Sequence, residues 1–511
     1  MSDWTAGYVA DIGYTFGYYH ELNPLRVKLA FANQGLIAPP CVTACELGFG
    51  QGLSVAEHAS ASLVSWHGTD FNPAQAANAQ ELTSVAGVRA RLYDESFSEF
   101  ADRADLPEFD YIGLHGIWSW VSDDNRQCIV DFIRRKLKAG GVLYISYNTL
   151  PGWAAFAPMR HLMTEHAEVV GSEGSGIVGR IEGALEFAEK LLEVNPSYVR
   201  VNQQVPERVK KLKDQNRHYL AHEYFNRDWH PMHFATLADW LSETKLNFAC
   251  SANYLDHIDP INLTSEQQKF LSDIPDIMFR ESVRDFMTNQ QFRKDYWVKG
   301  PRRLSELERL ELLRAQRVIL ATPRSDVPLK VTGSLGAADM TESIYKPILD
   351  ALANYKIRSV GEIEQAVAGQ KVNFPQLVQA IMILIGAQHV FPVNDDEVIG
   401  KVKKQTEALN RHLIQKARSS SDVSYLASPV TGGGHVVSRF QQLFMIDMIR
   451  GRKEPDEWAN FAWEVLSLQG QKILKEGKVI ESPEDNLIEL KQQARDFSEK
   501  HLAVLKALKI L

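Results

Sequence analysis

Short apolar runs and helical stripes take turns along residues 41–150. CVTACEL (41–47) is an apolar run that stops at glycines, and LSVAEHASASL after it repeats its apolar residues at helical spacing. SLVSWHGTDF predicts a second strand, AQAANAQELTSV a helix and VRARLYDES a third strand. FDYIGLHG predicts a fourth strand, NRQCIVDFIRRKL a helix, and AGGVLYISYNT a fifth strand after a glycine turn. Alternation at this pitch implies an α/β fold, a Rossmann-like parallel sheet with helices on both faces. Such sheets bind ligands at the carboxyl ends of their strands.

From about 160 to 320 helical periodicity dominates, with GSEGSG (171–176) as a loop between helices. A polar break at ATPRSDVP (321–328) precedes a mixed, mainly helical remainder in which GGG (432–434) marks a tight loop. These breaks suggest three units: 1–165, a helical middle unit 166–320, and 321–511. No repeat recurs at a fixed period. Near the end, Ser482 and Pro483 begin a helix in the way a capping hydroxyl and a first-turn proline do. Its apolar stripe runs Leu487, Leu490, Ala494, Phe497, Val504, Leu508 and Leu511, with His501 as the one polar member. Packing onto the C-terminal unit and pairing in a homodimer both fit that stripe.

Composition narrows the classes. A chain of 511 residues suits roughly three domains of about 100–200 residues each. The net charge of -8 argues against sequence-independent nucleic-acid binding. RVKKLK (208–213) reads as a solvated helix face. Cys41, Cys45, Cys128 and Cys250 are too few for a disulfide framework and lack metal-ligand spacing, so reduced core thiols and no metal are expected. MSDWTAGYVADIGY has no signal-peptide pattern, and LVQAIMILIGAQHVF (377–391) falls short of a bilayer span, so a cytoplasmic protein without membrane insertion is expected.

ELGFGQG (46–52) is the first chemical signal. A dinucleotide fingerprint needs a different third position, where Leu53 stands, and Glu46 ahead of the glycines would repel a pyrophosphate. It would suit a cation such as S-adenosylmethionine. Gly48, Gly50 and Gly52, with Phe49 among them, would let backbone pass close to the ligand. Asp70, ending strand two, can accept from both ribose hydroxyls. Asp94, ending strand three, is placed for the adenine amino group, and Phe71 for an adenine face.

Further segments carry a resemblance: HGIWSWV (115–121), SYNTLPGW (146–153), HEYFN (222–226), HPMHF (230–234), DFMTNQQFRKD (285–295) and YLASPVTGGG (425–434). With ELGFGQG, the chain resembles class I S-adenosylmethionine-dependent methyltransferases with a methyltransferase regulatory domain. That bacterial group includes rickettsial protein lysine methyltransferases acting on outer membrane proteins. The resemblance implies S-adenosylmethionine as cofactor, S-adenosylhomocysteine as its product, and a protein lysine as acceptor.

Methyl transfer needs donor sulfur, methyl and acceptor in line, so proximity and orientation dominate. A lysine is neutral in only about one molecule in 2,500 at pH 7, a cost of roughly 4.6 kcal/mol. A desolvated aromatic pocket offsets that cost; a hydroxyl acceptor needs a base instead. In the implied fold HGIWSWV lies at the methyl end of the cofactor. Trp118, Tyr147, Asn148 and His115 are the catalytic candidates, His115 also as a cofactor contact. Tyr14, Tyr18, His20, Trp120, Trp153, His222 and Tyr224 are the acceptor-wall candidates, with Tyr19 and Glu223 beside them. Residues 14–20 could close as a lid. Two rivals stay open: transfer to a glycan, lipid-linked sugar or small metabolite, with His115 or His20 as base, and a cofactor-binding scaffold without turnover.

Overall fold

The computed structural model describes residues 13–511. Its five expected strands are β1 (Thr43–Leu47), β2 (Ser65–Thr69), β3 (Arg91–Tyr93), β4 (Phe109–Leu114) and β5 (Leu137–Asn148), all parallel. β1 and β4 are buried along almost their whole length, as strands covered on both faces must be. Cys45 of β1 faces His67 of β2 on one side and Ile112 of β4 on the other. Strand order reverses at this point, so a crevice opens beyond the ends of β1 and β4.

The stretch expected to be helical also holds two strands, β6 (Leu246–Ser251) and β7 (Phe292–Lys299), both in antiparallel pairing. The completed sheet runs β3-β2-β1-β4-β5-β7-β6. β7 escapes a hydrophobic scan because two of its buried residues are charged. Arg293 Nε donates to Asp295 Oδ2 at 2.8 Å, and Arg293 Nη1 donates to Asp285 Oδ1 at 2.7 Å. Paired in this way, such groups are tolerated in the interior.

Between β5 and β6 the chain makes a helical excursion. Helices Ala157–Val169, Gly176–Glu193, Val205–Lys213 and Arg217–Tyr224 bury Met163, Ile181, Leu185, Val205 and Leu220 in a core of their own. GSEGSG lies between the first two helices, as expected.

The C-terminal residues pack directly on the helices that follow β1 and β2. Leu53, Ala56, Leu82 and Ala86 share one core with Leu409, Leu413, Leu443 and Leu490. The helix Leu53–Ser60 is buried at every residue. It is covered by the helix Asp396–Lys416 and the hairpin Tyr425–Ser428 with Gly433–Val436. A side chain at Gly433 or Gly434 would collide with Tyr18 or Glu57, so the GGG stretch permits a close approach as well as a turn. The final helix starts as expected, with Ser482 Oγ accepting from Asp485 N at 3.2 Å. Its stripe, through Leu490, Ala494, Phe497, Val504 and Leu508, is buried in the C-terminal core. The apolar 377–391 stretch forms most of the buried helix Phe374–Gly386, and among the described residues no helix is long and apolar enough to cross a membrane.

Asn394 ties the two layers together. Its Nδ2 donates to the Ala61 carbonyl at 2.9 Å and to that of Pro429 at 3.0 Å. Asn394→Ala leaves buried carbonyls without a donor and should cost about 1–3 kcal/mol. Urea unfolding checks this; a midpoint equal to that of the parent chain would contradict it.

Candidate active site

Glu46 stands next to last in β1, and the chain then turns over Gly48, Gly50 and Gly52, at φ of 72°, 56° and 75°. These left-handed values are what glycine allows at little cost. Of the three, only Gly50 would accept a Cβ without a clash, in ordinary contact with Tyr14 at 3.6 Å. A Cβ at Gly48 would collide with Ile117, and one at Gly52 with Ala79. The protein's own packing therefore demands two glycines of the three that had been read as room for a ligand.

Asp70 holds this loop. Its Oδ2 accepts from Gly50 N at 2.8 Å, and its Oδ1 accepts from Asn72 N at 3.0 Å. Burial pushes its carboxyl up to about 6. Burial, and then the neighbouring Asp70 charge, push Glu46 up to about 8. Glu46 Oε2 is buried with no hydrogen-bond partner among the described residues. The fold has thus placed an unsatisfied carboxylate oxygen at the mouth of a glycine loop.

Around this loop a cavity is walled by Tyr14, Tyr19, Glu46, Phe49, Asp70, Phe71, Glu95, His115, Trp120, Asn226 and Asp228. Four of these residues are carboxylates, and no lysine or arginine is among the described wall. Two of the four are already engaged: Arg103 Nη1 donates to Glu95 Oε1 at 2.6 Å, and Arg227 Nη2 donates to Asp228 Oδ2 at 3.3 Å. His115 lies under Tyr19, ring centres 3.7 Å apart, with Nδ1 2.7 Å from Tyr144 Oη. Burial lowers its pKa to about 3, so the ring is neutral at neutral pH.

Several expected residues lie elsewhere. Asp94 is exposed; the next residue, Glu95, lines the cavity, as the two-residue period past β3 allows. Trp118 is buried beneath the site, its Nε1 donating to Met232 Sδ at 3.2 Å. It shares a 3-10 turn with Trp120, where residues two apart diverge, so Trp120 alone reaches the cavity. Tyr147 Oη donates to Asp295 Oδ2 at 3.0 Å, and Asn148 N donates to Ser119 Oγ at 2.8 Å; both residues are buried off the cavity.

Tyr18 faces away, toward His58 Nε2 at 3.1 Å and the Tyr425 ring. His20 contacts Glu21 Oε1 at 3.2 Å outside the wall. Trp153 and Tyr224 belong to the core of the helical excursion. His222 is buried with the Tyr14 ring edge-on to it at 5.0 Å. Tyr14 Oη donates to Glu223 Oε1 at 3.1 Å, and burial pushes Glu223 up to about 7. Asn226, the last residue of HEYFN, and Asp228, between HEYFN and HPMHF, line the cavity although neither was among the candidate site residues. An acid and an amide directly after an aromatic-rich helix were the available signal.

Comparison with known proteins follows this geometry. Residues 216–299 match a family described as a predicted methyltransferase regulatory domain. The chain is 40% identical over 512 residues to the uncharacterized protein sll1526 of Synechocystis sp., covering 99% of each. It is 29% identical over 290 residues to the uncharacterized protein RP789 of Rickettsia prowazekii, covering 54% of this chain and 49% of that one. Its fold matches that of PKMT2 from Rickettsia typhi, solved in complex with AdoHcy, with a TM-score of 0.70 at 17% identity. The match covers 98% of this chain and 99% of that one.

The glycines make a paired prediction. Alanine at either Gly50 or Gly52 forces a left-handed residue, at about 1–2 kcal/mol. Gly52→Ala should lose more, because its methyl meets Ala79. Denaturant unfolding of both variants checks this; equal losses would contradict it.

Proposed function

The chain belongs to the family of the Synechocystis protein sll1526, as a methyltransferase-fold protein with a methyltransferase regulatory domain, and on that premise we propose that it methylates lysine side chains of a protein. The observation that carries this reading is an acid-walled cavity in which the only described histidine is neutral and a weak base.

The residues present fit S-adenosylmethionine. Glu46 has an unpartnered oxygen for a cation, Asp70 directly follows β2 where ribose hydroxyls can be met, and Gly50 lines the cavity without a side chain. When bound, the cofactor supplies a methyl group on a sulfonium. Phe71, Glu95 and Ser96 are the residues available to its base. Tyr19, Phe49 and Trp120 belong to the apolar part of the wall, with Ile117 and Val121. An ammonium entering this cavity would meet those rings by cation–π contact. Desolvation there favours the neutral amine, which is the reactive form. Of the two histidines expected as the base for a hydroxyl acceptor, His20 lies outside the wall, and burial has pulled His115 down to about 3.

Two predictions test the reading. In the free protein, Asp70 and Glu46 bind protons up to about pH 6 and about pH 8. A cationic ligand favours their charged forms, so protons are released on binding. Affinity for S-adenosylmethionine should rise with pH through that window, by up to about tenfold per pH unit for one coupled proton, and then level off. Calorimetry in buffers of different ionisation enthalpy measures this, and a flat affinity with no proton release would contradict it. Second, the protein should move labelled methyl from S-adenosylmethionine into trypsin-sensitive material in a cell lysate, recovered as methyl-lysine after hydrolysis. Label confined to glycan, lipid or small molecules would overturn the lysine assignment.

A further inference from the structure

Arg208, read from sequence as part of a solvated helix face, turns inward. In the helix Val205–Lys213 its guanidinium lies 4.0 Å from the Trp153 ring centre and 4.4 Å from that of Phe156. Nη2 donates to Tyr224 Oη at 3.3 Å. With the Gln291 carboxamide oriented oxygen-inward, that oxygen accepts from Nη2 at 3.2 Å. Among the described residues no carboxylate pairs with Arg208, whereas Arg293 has three and Lys211 has Glu207 at 3.6 Å. A guanidinium stacked on two rings is held in place, and its fork matches a carboxylate.

The charge faces a cleft of about 910 Å³ between the helical excursion and the loops after β5 and before β7. Gln204, Gln215, Asn289 and Gln291 line it with Tyr219. Carboxamides both donate and accept, as an extended polypeptide backbone requires of its partner. The same stretch of chain borders both the cleft and the acid-walled cavity. Tyr224 lines the cleft and Asn226 the cavity, two residues on and so at most about 7 Å along the chain. The cleft therefore presents Arg208 beside the paired Glu207 and Lys211, and the cavity presents four acids, two of them paired with arginines.

We infer that this cleft docks an extended segment of the acceptor protein, with an aspartate or glutamate on Arg208 and the acceptor lysine a few residues away in the cavity. The inference rests on the lysine reading above and adds a sequence preference to it: lysines with acidic neighbours.

The test uses the full chain and a fluorescein-labelled peptide with one central lysine flanked by glutamates, against the same peptide with glutamines. Anisotropy reads binding without any methyl transfer. The parent chain should bind the glutamate peptide about tenfold tighter. In Arg208→Gln that ratio should fall to near one. Arg208→Lys keeps the charge but loses the fork, and should reduce the ratio if Arg208→Gln does not fold. Equal affinities in the parent chain, or an unchanged ratio in a folded variant, would overturn the inference. If the acid preference and its dependence on Arg208 hold but no peptide acquires methyl-lysine, the docking site stands and the lysine reading falls.

Discussion

Two carboxylates, Glu46 and Asp70, are buried near each other at the ends of neighbouring strands, and among the described residues no cation pairs with either. Burying charge without a partner is costly, and here the cost appears as raised pKa values. A carboxyl whose folded pKa is raised binds its proton more tightly folded than unfolded. The free fold therefore loses stability from this pair as pH rises from the ordinary carboxylate range through about 6 and about 8. A bound cation offsets that loss. Much of the surrounding architecture serves the same pair. Asp70 fixes the Gly50 amide, the loop fixes the start of the helix Leu53–Ser60, and the C-terminal core closes over that helix.

The parts of this arrangement that repeat along the chain were legible in the sequence. Five strands, the glycine loop, Glu46 and Asp70 could be placed because apolar runs and turn residues mark strand ends. Direction was harder to read. Trp118 and Trp120 look equivalent in HGIWSWV, yet a tight turn sends one into the core and the other to the cavity. Asp94 and Glu95 swap roles for a similar reason, since one residue of register separates solvent from site. β7 was hidden because its buried charges satisfy one another at long range, which periodicity does not record.

The segment matched as a regulatory domain is continuous with the seven-stranded sheet. It supplies β6 and β7, and it supplies Asn226 and Asp228 to the cavity wall. Residues 14–19 join the remaining layers. Tyr14 and Tyr19 line the cavity, while Phe16 and Tyr18 pack toward the C-terminal core. Any movement of the middle or C-terminal regions would thus be felt at the cavity wall through direct contacts.

The central claim is that this acid pair holds a cationic methyl donor. A crystal structure of the chain grown with sinefungin, whose amine replaces the donor's methyl-bearing sulfonium, tests it most directly. The account predicts the analogue in the cavity, with its ribose hydroxyls on Asp70 and an ammonium within hydrogen-bond reach of Glu46. A ligand bound elsewhere, or one that leaves both carboxylates unengaged, would contradict it.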